Sequence, residues 1–99
     1  MRWRARYTKE GAAVIRTMHP EIKRRIREGI RMLLENPLLG HELHFELSGF
    51  RSMRIGGYRV IYQVNDAGHS IDVHHAGRRR DVYEDFRELL AERAYLARH

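Results

Sequence analysis

Between Gly49 and Asp66 apolar and polar residues alternate on both sides of the pair Gly56-Gly57. A period of two marks a strand with one buried face, and a glycine pair between two such runs marks a hairpin. The turn then sets the register, because a slip of one residue would send every side chain to the wrong face. Ile55 pairs with Tyr58, Arg54 with Arg59, Met53 with Val60 and Ser52 with Ile61.

A third strand follows the turn signal Asp66-Ala67-Gly68-His69. A turn centred on Ala67-Gly68 pairs Val64 with Ile71, Gln63 with Asp72, Tyr62 with Val73 and Ile61 with His74. One face of this meander (roughly 50–55, 58–65 and 70–76) collects Met53, Ile55, Tyr58, Val60, Tyr62, Val64, Ile71 and Val73, a core face. The other collects Ser52, Arg54, Arg59, Ile61, Gln63, Asp72 and His74, and is expected to be an open, basic surface. His75 has the opposite parity and is expected at the edge of the core.

Ahead of the meander, Trp3, Ala5 and Tyr7 alternate with Arg2, Arg4 and Arg6, which predicts a short first strand. Thr8 is placed to cap a helix over 9–18, and Pro20 to open a second that ends at Asn36-Pro37. Ile22, Ile26, Ile30, Leu33 and Leu34 recur there at helical spacing, so the two helices form an αα-hairpin with one apolar side. Residues 38–49 are expected to be irregular, and Val82, Phe86, Leu89, Leu90 and Leu96 predict a C-terminal helix. The chain is thus expected to be one α+β domain over 1–99: an antiparallel sheet with helices on one face and a C-terminal helix.

Composition narrows the partners. No apolar run approaches a membrane span, the N-terminus lacks a signal-like core, and there are no cysteines, so a cytoplasmic protein is expected. Of 19 Lys+Arg against 13 Asp+Glu only Lys9 and Lys23 are lysines. Arginine favours bidentate contact with phosphate or carboxylate. The 7 histidines show no metal-ligand spacing, so neither a metal nor a small-molecule cofactor is expected. Arg54 and Arg59, directly opposed, repel each other unless Asp72 or a ligand compensates. The third strand leads into Arg78-Arg79-Arg80 and Tyr83, which brings more cations and a phenol toward the same region. Cations with a nearby aromatic suit single-stranded RNA, although an acidic peptide or DNA would also fit.

At these residues the chain resembles the RelE/ParE toxin superfamily, and within it the RelE-like branch. The resemblance rests on Leu47-Ser48-Gly49, the run from Phe50 to Tyr62 with its Gly57-Tyr58-Arg59-Val60-Ile61-Tyr62, the Asp66 turn, and the segment from Gly77 to Tyr83. It implies a RelE-like fold and the toxin of a type II toxin–antitoxin pair: an endoribonuclease that enters the ribosomal A site and cuts mRNA through the mRNA's own 2′-hydroxyl. Position by position it implies catalytic roles for Arg54, Arg59, Arg79 and Tyr83, with Arg78 as a neighbour. A second basic residue, often lysine, falls on Ser52; Arg51 is adjacent but has the wrong parity unless the strand bulges. Arginine stays protonated, so the proton acceptor is Tyr83, His74 or a group of the ribosome. The implied partner is a cognate antitoxin with an acidic, amphipathic segment that covers the basic face or displaces the C-terminal helix. Ser52 also keeps open a ParE-like toxin that inhibits DNA gyrase without catalysis, or an inactive binding module on the same fold.

Overall fold

The strands form where alternation places them. In the computed structural model, which describes residues 2–98, β1 spans Arg4–Tyr7, β2 His41–Glu42, β3 Arg51–Ile55, β4 Tyr58–Asn65 and β5 Ser70–Arg78. Helix α1 covers Lys9–Arg16, α2 Pro20–Glu35 and α3 Val82–Arg98, with a 3-10 turn at Phe45–Leu47. The sheet order is β1-β5-β4-β3-β2, an α+β arrangement as expected. Its centre is the antiparallel meander β3-β4-β5, but β1 runs parallel to β5, so the sheet is mixed. A parallel neighbour needs a long connection, and the αα-hairpin plus the first two meander strands provide it. The two-residue edge strand β2 lies in a segment expected to be irregular.

Local chemistry sets the element ends. Thr8 accepts from the Gly11 N–H (3.0 Å) and caps α1. Pro20 opens α2, where the His19 ring nitrogen Nδ1 accepts from the Glu21 N–H (3.1 Å), a cap the sequence reading did not include. Gly56, at φ 59°, takes the first turn position of the β3–β4 hairpin, where only glycine is unstrained. The resulting pairs are those the turn dictates, from Ile55 with Tyr58 to Ser52 with Ile61.

Beneath the sheet, Ile15, Ile26, Ile30 and Leu33 of the helical hairpin pack on Met53, Val60, Tyr62, Ile71 and Val73. This is the core face read from the sequence. The opposite face is not open along its length, contrary to expectation. Ile61, Leu47, Val82 and Phe86 form a second buried layer there, with Phe50, Leu89 and Leu90 around it. Helix α3 therefore lies across the outer face, because Ile61 and Phe50 offer apolar surface that Phe86 and Val82 remove from water. Among the described residues no helix is long and apolar enough to cross a membrane.

The β4–β5 ladder carries one irregularity. Tyr62 faces Val73, but Ile61 faces His75, so His74 is an extra residue in β5 and the expected Ile61–His74 pair does not form. His75 turns to the outer face, where its ring stacks on Phe86 at 5.8 Å. From there the register places Ala76 opposite Val60 and Gly77 opposite Arg59.

Candidate functional site

The site is assembled at the turn end of the meander, beyond the reach of α3's apolar cover. Arg54 and Arg59 stand opposite each other in the ladder. Arg54 is exposed, and its Nε donates to the Gly56 carbonyl (3.3 Å). Arg59 is half-buried, and its Nη1 donates to Ser52 Oγ (3.3 Å). The bulge puts Gly77 opposite Arg59, where a Cβ would lie against Val82 at the start of α3. The strand ends at Arg78, and in the turn that follows the Arg79 N–H donates to the Gly57 carbonyl (2.9 Å). That bond ties the arginine cluster to the hairpin turn.

The first turn of α3 closes the site. Tyr83 donates its hydroxyl to Ser52 Oγ (3.0 Å), and the Arg59 guanidinium carbon lies 5.9 Å from the Tyr83 ring centre. That distance is within the range of a cation–π contact. Gly57, Arg59, Arg78, Arg79, Arg80 and Tyr83 line one open cleft. Arg24 and Arg93 have carboxylate partners elsewhere, but among the described residues no carboxylate pairs with Arg54, Arg59, Arg78, Arg79 or Arg80. The anticipated compensator, Asp72, is occupied by Ser70 (2.7 Å) and Asn65 (3.4 Å). The cleft is therefore an uncompensated concentration of positive charge with an aromatic wall, suited to bind a polyanion.

Two of the residues singled out from sequence fall elsewhere. Arg51 points to the opposite side of the sheet, the side of its cross-strand partner Tyr62. Its guanidinium donates to the carbonyls of Gly40 (2.7 Å) and Leu38 (3.4 Å) and to the Tyr62 hydroxyl (3.4 Å), and pairs with Glu42 (3.5 Å). No bulge occurs in β3, so its parity is as read and it braces the 38–42 segment. His74 lines a separate cleft with Arg6, Tyr7, Thr8, Gln63 and Asp72. Its Nε2 bonds Gln63 Oε1 (2.8 Å), and the rings of Phe50 and Phe86 pack on it. Burial pushes its pKa below the usual histidine value and Arg93 adds to this, against Asp72 and Glu10. Arg80 joins the cleft though the sequence reading assigned it no role; its place in the arginine run was the available signal. Among the described residues no group of three or more His, Asp or Glu side chains is placed to hold a metal.

An arginine-lined cleft on a meander, with a helical hairpin beneath and a C-terminal helix above, is an arrangement that this chain shares with a family of small protein toxins. The chain belongs to the ParE toxin family: the model of the ParE toxin of type II toxin–antitoxin systems, parDE, matches residues 2–83. Toxin RelE of Mycobacterium tuberculosis is 42% identical over 52 residues, which cover 52% of this chain and 54% of that protein. The match thus spans about half the length of that curated relative. The structure is similar to the toxin–antitoxin complex RelBE2 of Mycobacterium tuberculosis, with a TM-score of 0.74 and 26% identity over 80% of this chain and 100% of that one. The isolated RelE toxin of E. coli shares the fold, with a TM-score of 0.67 and 16% identity over 77% and 83% of the two chains.

Proposed function

We propose that this chain is a ribosome-dependent mRNA endoribonuclease, held silent in the cytoplasm by a cognate antitoxin. The observation that carries the reading is the cleft itself, in which Arg59, Arg78, Arg79, Arg80 and Tyr83 converge without a carboxylate among them. An RNA backbone supplies the negative charge, and Tyr83 offers a ring for a base to stack on. The reaction forms a bond between the 2′-oxygen and the adjacent phosphorus and breaks the bond from phosphorus to the 5′-oxygen. One proton leaves the 2′-hydroxyl and one reaches the 5′-oxygen. Arg59, with Arg54 and Arg79, holds the phosphate and stabilises the charge that builds on it. His74 lies in a different cleft, which leaves Tyr83 and groups of the ribosome to move protons. Nothing in this scheme calls for a cofactor. The antitoxin of this reading presents an acidic, amphipathic segment to the same cations.

Primer extension on a translated mRNA tests the reading. Arg59→Ala and Arg79→Ala are expected to lower cleavage by about 10²-fold or more and to restore growth of cells expressing the chain alone. Cleavage at the wild-type rate by both variants would overturn the site. A second reading, a toxin that binds DNA gyrase without catalysis, draws on the ParE family match and on Ser52 at a position where RelE-like members often carry a cation. It predicts loss of supercoiling in vitro with mRNA left intact.

A further inference from the structure

Ser52 has no exposed surface and sits at the junction of the two elements that build the cleft. Its Oγ accepts from Arg59 Nη1 (3.3 Å) on β4 and from the Tyr83 hydroxyl (3.0 Å) on α3. A serine hydroxyl has two lone pairs and one proton. With both bonds accepted, the lone pairs are used and the proton takes the third position, so the hydroxyl can turn only when one donor lets go. A lysine at this position would offer only donors, would repel Arg59 and could accept nothing from Tyr83. The replacement is therefore a change of polarity as well as a loss of charge.

We propose that Ser52 is a positioning residue that couples Arg59 to Tyr83 and turns the phenolic proton toward the substrate. The proposal rests on the RNA-cleaving reading of the cleft. In the free protein Tyr83 donates to Ser52. When a phosphate-ester oxygen enters the cleft, it offers the phenol a stronger acceptor. The Ser52 hydroxyl then rotates and donates to the Tyr83 oxygen, giving a directed chain from Arg59 through Ser52 to Tyr83 and on to the substrate. Each donor in such a chain is polarised by the one before it. The rotation breaks no covalent bond and moves no net charge. It turns the phenolic proton away from Ser52 and holds it toward the substrate.

Four variants test the proposal in a reconstituted translation reaction: Ser52→Ala, Ser52→Thr, Tyr83→Phe and the double change Ser52→Ala with Tyr83→Phe. Ser52→Ala is expected to lower kcat by about tenfold or more with little change in KM. Ser52→Thr keeps the hydroxyl and is expected to restore cleavage. Because Ser52 acts through Tyr83, the double variant should cut no more slowly than Tyr83→Phe alone. Wild-type cleavage by Ser52→Ala, or additive losses in the double variant, would overturn the proposal.

A chain that cuts no mRNA at all would defeat the broader reading and leave the coupling open to a separate measurement. In protein carrying labelled tyrosine rings, the Tyr83 resonance is assigned by its loss in Tyr83→Phe. It is expected to shift in Ser52→Ala and return in Ser52→Thr. An unmoved resonance in Ser52→Ala would overturn the coupling whatever the activity.

Discussion

Arg54 and Arg59 are cross-strand partners of like charge, and no carboxylate among the described residues pairs with either. Like charges directly opposed destabilise a ladder, so the pair costs the fold stability. Arg54→Glu turns repulsion into attraction. It should raise stability to urea by about 0.2–1 kcal/mol and weaken binding to single-stranded RNA. Urea titration beside RNA binding at several salt concentrations checks both halves. A variant that is stabilised yet binds RNA as well as the wild type would remove Arg54 from the interface.

Arg51 carries the opposite expectation. Its side chain is only 16% exposed and satisfies two carbonyls and the Tyr62 hydroxyl. Hydrogen bonds from a charged group contribute roughly 1.5–3 kcal/mol each, and removal takes the donor from both carbonyls while Tyr62 keeps the Gly40 N–H. Arg51→Ala should therefore lower stability by about 2–3 kcal/mol and leave the affinity of the folded fraction for RNA unchanged. Equal stability with weakened binding would return Arg51 to the site.

Phe86 anchors α3. It is fully buried, packs edge-on to Phe50 at 4.9 Å and lies over His75. Phe86→Ala should cost roughly 3–5 kcal/mol. It should also raise hydrogen exchange along α3 before it does so in the meander, since the core beneath the sheet is untouched. Tyr83 lies in the first turn of the same helix, so cleavage should fall with helix protection. Uniform loss of protection across sheet and helix would show that the two layers unfold as one.

Buried His75 and half-buried His74 make stability depend on pH. Both ring nitrogens of His75 and the Nδ1 of His74 are buried without a hydrogen-bond partner. Burial pushes the His75 pKa below its usual value, with Asp85 opposing and Arg93 assisting; His74 is lowered in the same direction. Histidines of the unfolded chain titrate near about 6.5, so below that pH the unfolded state takes up protons that the folded state refuses. The stability is complete above about pH 6.5 and is lost as the pH falls through the depressed folded values. Thermal melting should drop across this window, and His75→Leu should flatten the drop. An unchanged slope in that variant would place the dependence on other groups.

The hairpin was legible because its determinants are local. Gly56-Gly57 and strict alternation assign Arg54 and Arg59 to one face, and the ladder pairs them accordingly. The inner core was legible for the same reason, from Met53 through Val73. The parallel pairing of β1 was not, because nothing local to residues 4–7 distinguishes a parallel partner from an antiparallel one. Counting by twos also fails at His74, where one extra residue moves His75 to the outer face and brings Gly77 beside Arg59. The cover over the outer face was half legible. Val82, Phe86, Leu89 and Leu90 announced a helix, but Ile61, which receives it together with Phe50, was counted with polar neighbours. The bond between Ser52 and Tyr83 joins residues 31 apart, and no spacing rule reaches that far.

The extra residue in β5 has a consequence for how chains of this build diverge. Loss of one residue at His74 leaves Ile71 and Val73 in place and lets His75, Ala76 and Gly77 keep their partners Ile61, Val60 and Arg59 in a regular ladder. The bulge thus absorbs a change of chain length without changing what stands opposite Arg59. Lineages can gain or lose one codon here and keep the same cleft, a difference that a residue-by-residue comparison of sequences would record only as a gap.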